Sequence, residues 1–412
     1  MTSMIWRMTP GSPSSFTPKR NLSRQLASPR LQGRGAVHSG VNLITDSAVT
    51  TPPGASPTPG LRVVAMGGGT GLSTLLRGLK RFVPSIGGSQ ADSCDDVPST
   101  ISHLAAVVTV TDDGGSSGRL RKDFNMLPPG DLRNCMVALS EDEHLISQLF
   151  RHRFRTGGEL VGHNFGNLFV AALAEMTGDF GHAIRLAAEV LATRGHIYPA
   201  TFSDVTLTAR MTDGSEVRGE TNITRSRVPI AELLLDPPDA EPLPETLEAI
   251  QQADLITVGP GSLYTSLITN LLVCGIPEAL ASARGTRVYV ANLMTQANES
   301  LHLTASQHIE RIYEHTQQPV FDYALVNTAP VPEEVRERYA AEGAEVIAPD
   351  VERIEAMGIR CITGDFAAEG DVVRHASDRV AATLLALAMR TSTACPHLAH
   401  PAAASSLVDH KS

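Results

Sequence analysis

Residues 63–80 read VVAMGGGTGLSTLLRGLK, and the class of the fold follows from how this stretch divides. Val63, Val64, Ala65 and Met66 predict a buried strand. Gly67, Gly68, Gly69, Thr70 and Gly71 predict a tight turn, and residues 73–80 a helix with Leu72, Leu75, Leu76 and Leu79 on one face. Strand, glycine turn and helix in this order open a nucleotide-binding α/β unit. Glycines let the backbone approach a ligand closely, and the helix start offers free N–H groups and a positive dipole end to a phosphate. The third glycine of the dinucleotide fingerprint is replaced by Leu72, and no Lys-Ser/Thr pair follows to make a Walker loop. An anionic ligand is expected, with tight packing of the turn as the alternative.

Downstream, residues 104–111 (LAAVVTVT) predict a second buried strand that runs into Asp112, Asp113, Gly114, Gly115, Ser116, Ser117, Gly118 and Arg119. Ligands of open parallel sheets sit at the carboxyl ends of strands, where paired carboxylates can hold a divalent ion or a ribose hydroxyl. The Gly/Ser run offers backbone donors, and Arg119 or Arg121 could meet a phosphate. The competing reading is that Asp112 or Asp113 caps the next helix. In LPPGDLRN (127–134), Asp131 reads as a helix cap, with Arg133 and Asn134 facing either a ligand or solvent. GHNFGN (162–167) opens an apolar helix, where His163 and Asn164 contact a ligand or Asn164 is an N-cap.

A helix over 183–192 is followed by a β-hairpin around Asp213-Gly214 that breaks the alternation, and a proline-rich connector covers 237–244. The first pattern then returns. The strand 254–258 leads into Gly259, Pro260, Gly261, Ser262, Leu263, Tyr264 and an apolar helix, so two glycine turns can face one cleft and grip a diphosphate from both sides. Further strands are expected at 286–291, 323–327 and, as the last of the sheet, 345–348, with a closing helix at 377–390.

Composition sets outer limits. Of 412 residues 42% are hydrophobic, enough for a substantial core, and the five cysteines form no CxxC or Cys/His cluster. They read as reduced thiols rather than a zinc framework. Residues 1–60 carry six basic residues against one acid, a net +5 that leaves −15 for the rest of a chain whose total is −10. This Ser/Pro/Gly-rich segment reads as disordered: a flexible tail, a start placed too early with Met8 as the alternative, or a transit peptide. Residues 391–412 read as a flexible tail. The acidic body argues against nucleic-acid binding, and no apolar run approaches the roughly 18 residues of a membrane span.

With MGGGTG, TVTDDGGSSGRLR, PPGDLRN, GHNFGN, GETNI, GPGSLYTSLI and NLMTQ in this order, the chain resembles the gluconeogenesis factor family, a uridine-diphosphate-sugar-binding group within the 2-phospho-L-lactate transferase superfamily. The resemblance covers about residues 61–390. It implies an α/β fold with a Rossmann-like, mostly parallel sheet, helices on both faces and a smaller helical and hairpin insertion at about 130–225. It also implies a cytoplasmic protein acting in carbon metabolism and in cell-wall or cell-shape control. Enzymatic relatives move a phospholactyl group from a guanosine diphosphate carrier to a deazaflavin with magnesium. By that similarity the turns at Gly67 to Gly71 and Gly259 to Ser262 hold phosphates, Asp112 and Asp113 sit near Mg2+ or the acceptor, and Tyr264 packs on the nucleotide sugar. After Gln296 the usual Pro-Gly-Glu-Thr is replaced by Ala297-Asn298-Glu299-Ser300.

The leading expectation is a nucleotide-sugar-binding regulator with no organic cofactor. The alternative is a magnesium-dependent transferase with Asp112 and Asp113 as catalytic or metal-ligating residues. An NAD-dependent dehydrogenase is disfavoured by the incomplete fingerprint. Gly114, Gly115, Ser116, Arg119 and Asn164 complete the expected ligand set, and a homo-oligomer is left open.

Overall fold

The structure, a computed structural model, describes residues 60–85, 100–141, 145–341, 343–368, 370 and 372–391. The expectations for residues 1–60, for the loop at 83–100 and for the tail from 391 fall wholly or mainly outside these. The first half of the fold runs β1 (Leu61–Gly67), α1 (Gly69–Lys80), β2 (Ile101–Val108), α2 (Gly115–Phe124), α3 (Gly130–Leu139), α4 (Leu145–Arg151), α5 (Phe165–Thr177), α6 (Phe180–Val190) and β3 (His196–Pro199). A small antiparallel piece follows, with β4 (Thr206–Met211), β5 (Glu216–Arg218), α7 (Glu220–Arg225) and β6 (Ile230–Asp236). The chain then passes through α8 (Pro244–Gln252) to β7 (Leu255–Val258), a π-helix at Leu263–Ile268, α9 (Thr269–Leu271), α10 (Ile276–Ser282) and β8 (Thr286–Val290). It ends with α11 (Ala305–Thr316), β9 (Tyr323–Asn327), α12 (Glu333–Ala341), α13 (Val351–Ala356), β10 (Arg360–Gly364) and α14 (Ser377–Thr391).

Seven strands form one sheet in the order β10-β9-β8-β7-β1-β2-β3, and every pairing in it is parallel. This is an α/β fold with helices around the sheet. β1 lies at its centre, covered on both faces, which is why its sequence is continuously apolar rather than alternating. Leu72, Leu75, Leu76 and Leu79 are at most 1% exposed, because α1 packs its leucine face between the sheet, α3 and α14. α8 and α10 pack together and cover the other face. From β1 the order steps one way through β2 to β3 and the other way through β7 to β10. The β1/β7 junction is therefore the topological switch point, where the loops after two neighbouring strands diverge and leave a crevice.

The expected smaller insertion is present in a narrower form, and two other expectations are corrected. β3 joins the main sheet and α3 packs on α1, so within the stretch expected as an insertion only α7 and the β4–β5 hairpin, continued by β6, stand apart as a three-stranded antiparallel sheet. Four residues with His196 and Tyr198 on one face were too short and polar to read as a strand. Residues 345–348 contribute only an isolated bridge, Met294 to Val346, and the outer strand is β10. Asp131 does not cap α3, whose N-cap is Pro129; its carboxyl points elsewhere.

Candidate functional site

The turns after β1 and β7 meet at the switch point. A Cβ on Gly71 would lie 2.3 Å from the carbonyl oxygen of Pro260, so this contact of backbone on backbone requires glycine. The second turn is fastened from β8: Asn292 accepts from the Gly261 N–H (3.1 Å) and donates to the Gly261 carbonyl (2.6 Å), while the Gln296 amide donates to Ser262 Oγ (2.8 Å). α1 starts with Gly68 as N-cap, no side-chain cap and no acid of its own in its first turn; the Asp131 carboxyl takes the Gly69 N–H, and the N–H groups that follow, with the dipole, are left for an anion. Between the two turns lies a crevice of about 470 Å³ lined by Gly68, Gly69, Thr70, Gly71, Pro260, Gly261 and Ser262. Tyr339 of α12, Arg374 and His375 close its far wall, and Arg374 is the only arginine or lysine among the lining residues. His375 is buried and donates from Nε2 to the Ala291 carbonyl (3.1 Å); burial holds it neutral, with a pKa lowered to about 4. A groove of about 630 Å³ elsewhere is larger, but this crevice is the one where the two glycine turns meet at the start of α1.

Beside the first turn stands a group of carboxyls. The Asp131 carboxyl lies against Gly68 and Gly69, 2.8 Å from where a Cβ on Gly68 would be. Although the residue keeps some exposure at its edge, the carboxyl is enclosed. Burial and then the neighbouring Asp112 push its pKa up to about 6, against the pull of the Gly69 N–H, Arg133 and Asn134. Glu220, at the start of α7, accepts from Thr111 Oγ1 (2.8 Å) and is raised well above the usual range by burial and by Asp131. Glu299 accepts from the N–H groups of Tyr264 (3.3 Å) and Thr265 (3.4 Å) and from Thr265 Oγ1 (2.8 Å), capping the π-helix, and burial raises it also. Among the described residues no three acidic, His or Cys side chains converge closely enough to hold a metal by themselves.

The expected Asp112/Asp113 pair is corrected by this geometry. Asp112 Oδ1 accepts from the Gly114 N–H (2.9 Å) and its other oxygen points towards Gly130, on the Asp131 side. Asp113 instead accepts from the N–H (2.9 Å) and hydroxyl of Thr221, capping α7 from outside; Gly219, at φ +91°, has no Cβ to block it. Asp113→Ala is expected to lower stability by about 1 kcal/mol through loss of the cap while leaving the crevice intact, as urea melts and ligand titration would show. A variant of unchanged stability would refute the cap.

Several expected contacts belong to the scaffold. Ser116 Oγ bonds His163 Nδ1 (3.2 Å) and accepts from the Asn164 N–H (3.2 Å), and Asn164 Oδ1 caps α5 through the Asn167 N–H (3.2 Å). Arg119 donates to the carbonyls of Glu159 and Val161, and Gly114 and Gly115 form the start of α2. Gly114, Gly115, Ser116, Arg119, His163 and Asn164 lie outside the crevice lining, and the bonds of Ser116 and Arg119 lock the Asp112–Arg119 segment onto residues 159–164. Tyr264 is 2% exposed, edge-on to His315 with its hydroxyl 3.4 Å from the Ile230 carbonyl, so it is core rather than a platform for a sugar. Glu299, in the departing 297–300 segment, retains a defined role as a helix cap. Sequence reasoning missed Glu220, Asn292, Gln296, Tyr339, Arg374 and His375 as residues of the site or its support. GETNI and NLMTQ were visible as motifs, whereas nothing local marks Tyr339 or Arg374.

Comparison with known proteins gives a consistent result. Residues 63–367 match the family described as 2-phospho-L-lactate transferase CofD. The chain is 44% identical to a gluconeogenesis factor of Halalkalibacterium halodurans over 80% of its own length and 98% of the relative's, and 42% identical to that of Bacillus subtilis over 79% and 98%. A crystal structure of a UPF0052-family protein from Bacillus halodurans, 44% identical, superposes with a TM-score of 0.73 over 79% of this chain and 99% of that one.

Proposed function

Since the chain belongs to the CofD family and is similar to gluconeogenesis factors over nearly their whole length, we propose that it binds a nucleoside diphosphate sugar of the uridine type at the β1/β7 crevice and acts as a regulator of gluconeogenic growth and of cell-wall or cell-shape control. The observation that carries the reading is the convergence of two glycine turns on one crevice. The start of α1 and the Gly261–Ser262 backbone supply donors for the diphosphate, Arg374 supplies the positive charge, and Tyr339 offers the aromatic face for base or sugar that Tyr264 cannot.

A second reading, a transferase of phosphate-linked groups, draws support from the enclosed carboxyls. Magnesium is commonly held by one or two protein carboxylates together with substrate phosphates. Asp112 and Asp131 fit that requirement, since a cation would relieve the repulsion that Asp112 exerts on Asp131, and they would hold it in place of the pair first expected. Bound there, the ion would neutralise diphosphate charge during transfer. Asn292 and Gln296 keep the second turn in place and Gly69 orients Asp131.

Calorimetric titration with uridine diphosphate N-acetylglucosamine, guanosine diphosphate and NAD tests both readings. Tight binding of the sugar nucleotide without turnover is expected, and Tyr339→Ala and Arg374→Ala should each weaken it about tenfold or more. Preference for guanosine diphosphate with magnesium-dependent transfer to a deazaflavin would establish the enzyme instead. Binding of neither nucleotide would remove the proposal.

A further inference from the structure

The sheet ends at β3, and among the described residues no strand lies beyond it. Strand alternation fixes which main-chain groups face outward. The Ala200 N–H donates inward to the Val108 carbonyl, so the Pro199 carbonyl points out, where Thr246 Oγ1 reaches it (3.2 Å). Two residues earlier on the same side are the Ile197 N–H and C=O. The next outward carbonyl, of Gly195, is taken by Thr193 Oγ1 (3.1 Å). Ile197, itself only 7% exposed, is thus the position on this edge where a donor and an acceptor stand together, on the floor of the groove of about 630 Å³ between α6 and the start of α8.

We propose that this edge is the interface with a second copy of the chain, joined about a two-fold axis at Ile197. In an antiparallel pair centred there, each Ile197 exchanges both hydrogen bonds with its counterpart and the two sheets become one. The same axis sets His196 opposite Tyr198 of the other copy. These rings already stack within one chain (6.0 Å), in a row that His103 begins (4.7 Å from His196), and the row would continue across the axis. Charge selects the same partner. Arg185 and Glu189 stand one turn apart on the groove side of α6, so an antiparallel copy of that helix brings Arg185 of each chain to Glu189 of the other. Val190 (53% exposed) and Phe202 (47% exposed) flank the groove, and the second copy would cover them. β3 is short and its outward carbonyls at Gly195 and Pro199 are already bonded, so the pairing would use the donor and acceptor of Ile197.

Sedimentation velocity of the full chain over a range of concentrations tests this, with amide exchange at Ile197 as a second readout. The wild type should dimerise, and the Ile197 amide should become protected as concentration rises. Arg185→Glu, a surface change, should weaken association at least about tenfold, and adding Glu189→Arg to it should restore the dimer. A purely structural role for either residue would not produce that rescue. A monomer at all concentrations, or a dimer indifferent to Arg185→Glu with an unprotected Ile197 amide, overturns the proposal. Monomers that bind an unrelated peptide or small apolar compound in the groove would overturn it equally. None of these residues lines the nucleotide crevice, so binding results there bear on neither outcome.

Discussion

Gly71→Ala should abolish nucleotide binding, lowering affinity at least about a hundredfold, and should also cost about 1–3 kcal/mol of stability. The added methyl would stand 2.3 Å from the Pro260 carbonyl oxygen and 2.7 Å from its carbon. Neither neighbour is a flexible side-chain end. Gly71 is held in the first turn of α1, and the Pro260 turn is fastened by Asn292 and Gln296 from the β8 side. Relief can come only by prising the two turns apart, which separates the donors that must close on one diphosphate. Because productive geometry is lost with displacements of about 1 Å, binding should suffer more than folding. Calorimetry and urea melts on the same preparation measure both. A variant that binds as the wild type does would show that the two turns do not act on one ligand.

The second large effect concerns Asp131. Its carboxyl is displaced from an ordinary value of 3.8 to about 6 by burial and by Asp112. An acid raised in the folded state holds its proton more tightly there than in the unfolded chain. Its favourable share is therefore complete below about pH 4 and is lost as pH rises through about 6. Asp131→Asn cannot ionise, so the variant should match the wild type near pH 4 and exceed its stability at neutral pH by about 1–2 kcal/mol. In exchange it should lose any magnesium-dependent gain in sugar-nucleotide affinity, a gain that in the wild type should itself fade below about pH 6 as the proton displaces the cation. Parallel stability profiles for variant and wild type between pH 4 and 8 would mean that Asp131 is not the strained acid the geometry describes.

These two residues mark how far the sequence could be read. Gly71 lies in a segment whose period changes from a continuous apolar run to a leucine repeat, and a turn between such elements declares itself locally. Asp131 was equally visible, but as the first acid after Pro-Pro-Gly it carried the local signature of a cap. Its contact with Gly68 and Gly69, some sixty residues away in sequence, leaves no local trace. Asp113 failed in the opposite direction: adjacent to Asp112, it suggested a pair, yet successive residues of an extended chain point opposite ways. One reaches the crevice side and the other caps α7.

By itself the sequence determined the α/β class, the two glycine turns and the motif series that marks the family, because each rests on residues close together along the chain. Only the tertiary structure decided that the turns share one crevice, since this depends on β7 pairing with β1 across nearly two hundred residues. It also decided that Tyr339 and Arg374 line the crevice while Tyr264 is core, and that β3 is the last strand of the sheet among the described residues. Which side chain reaches a site is set by the strand order and by what packs behind it, and neither is written in any single stretch of the chain.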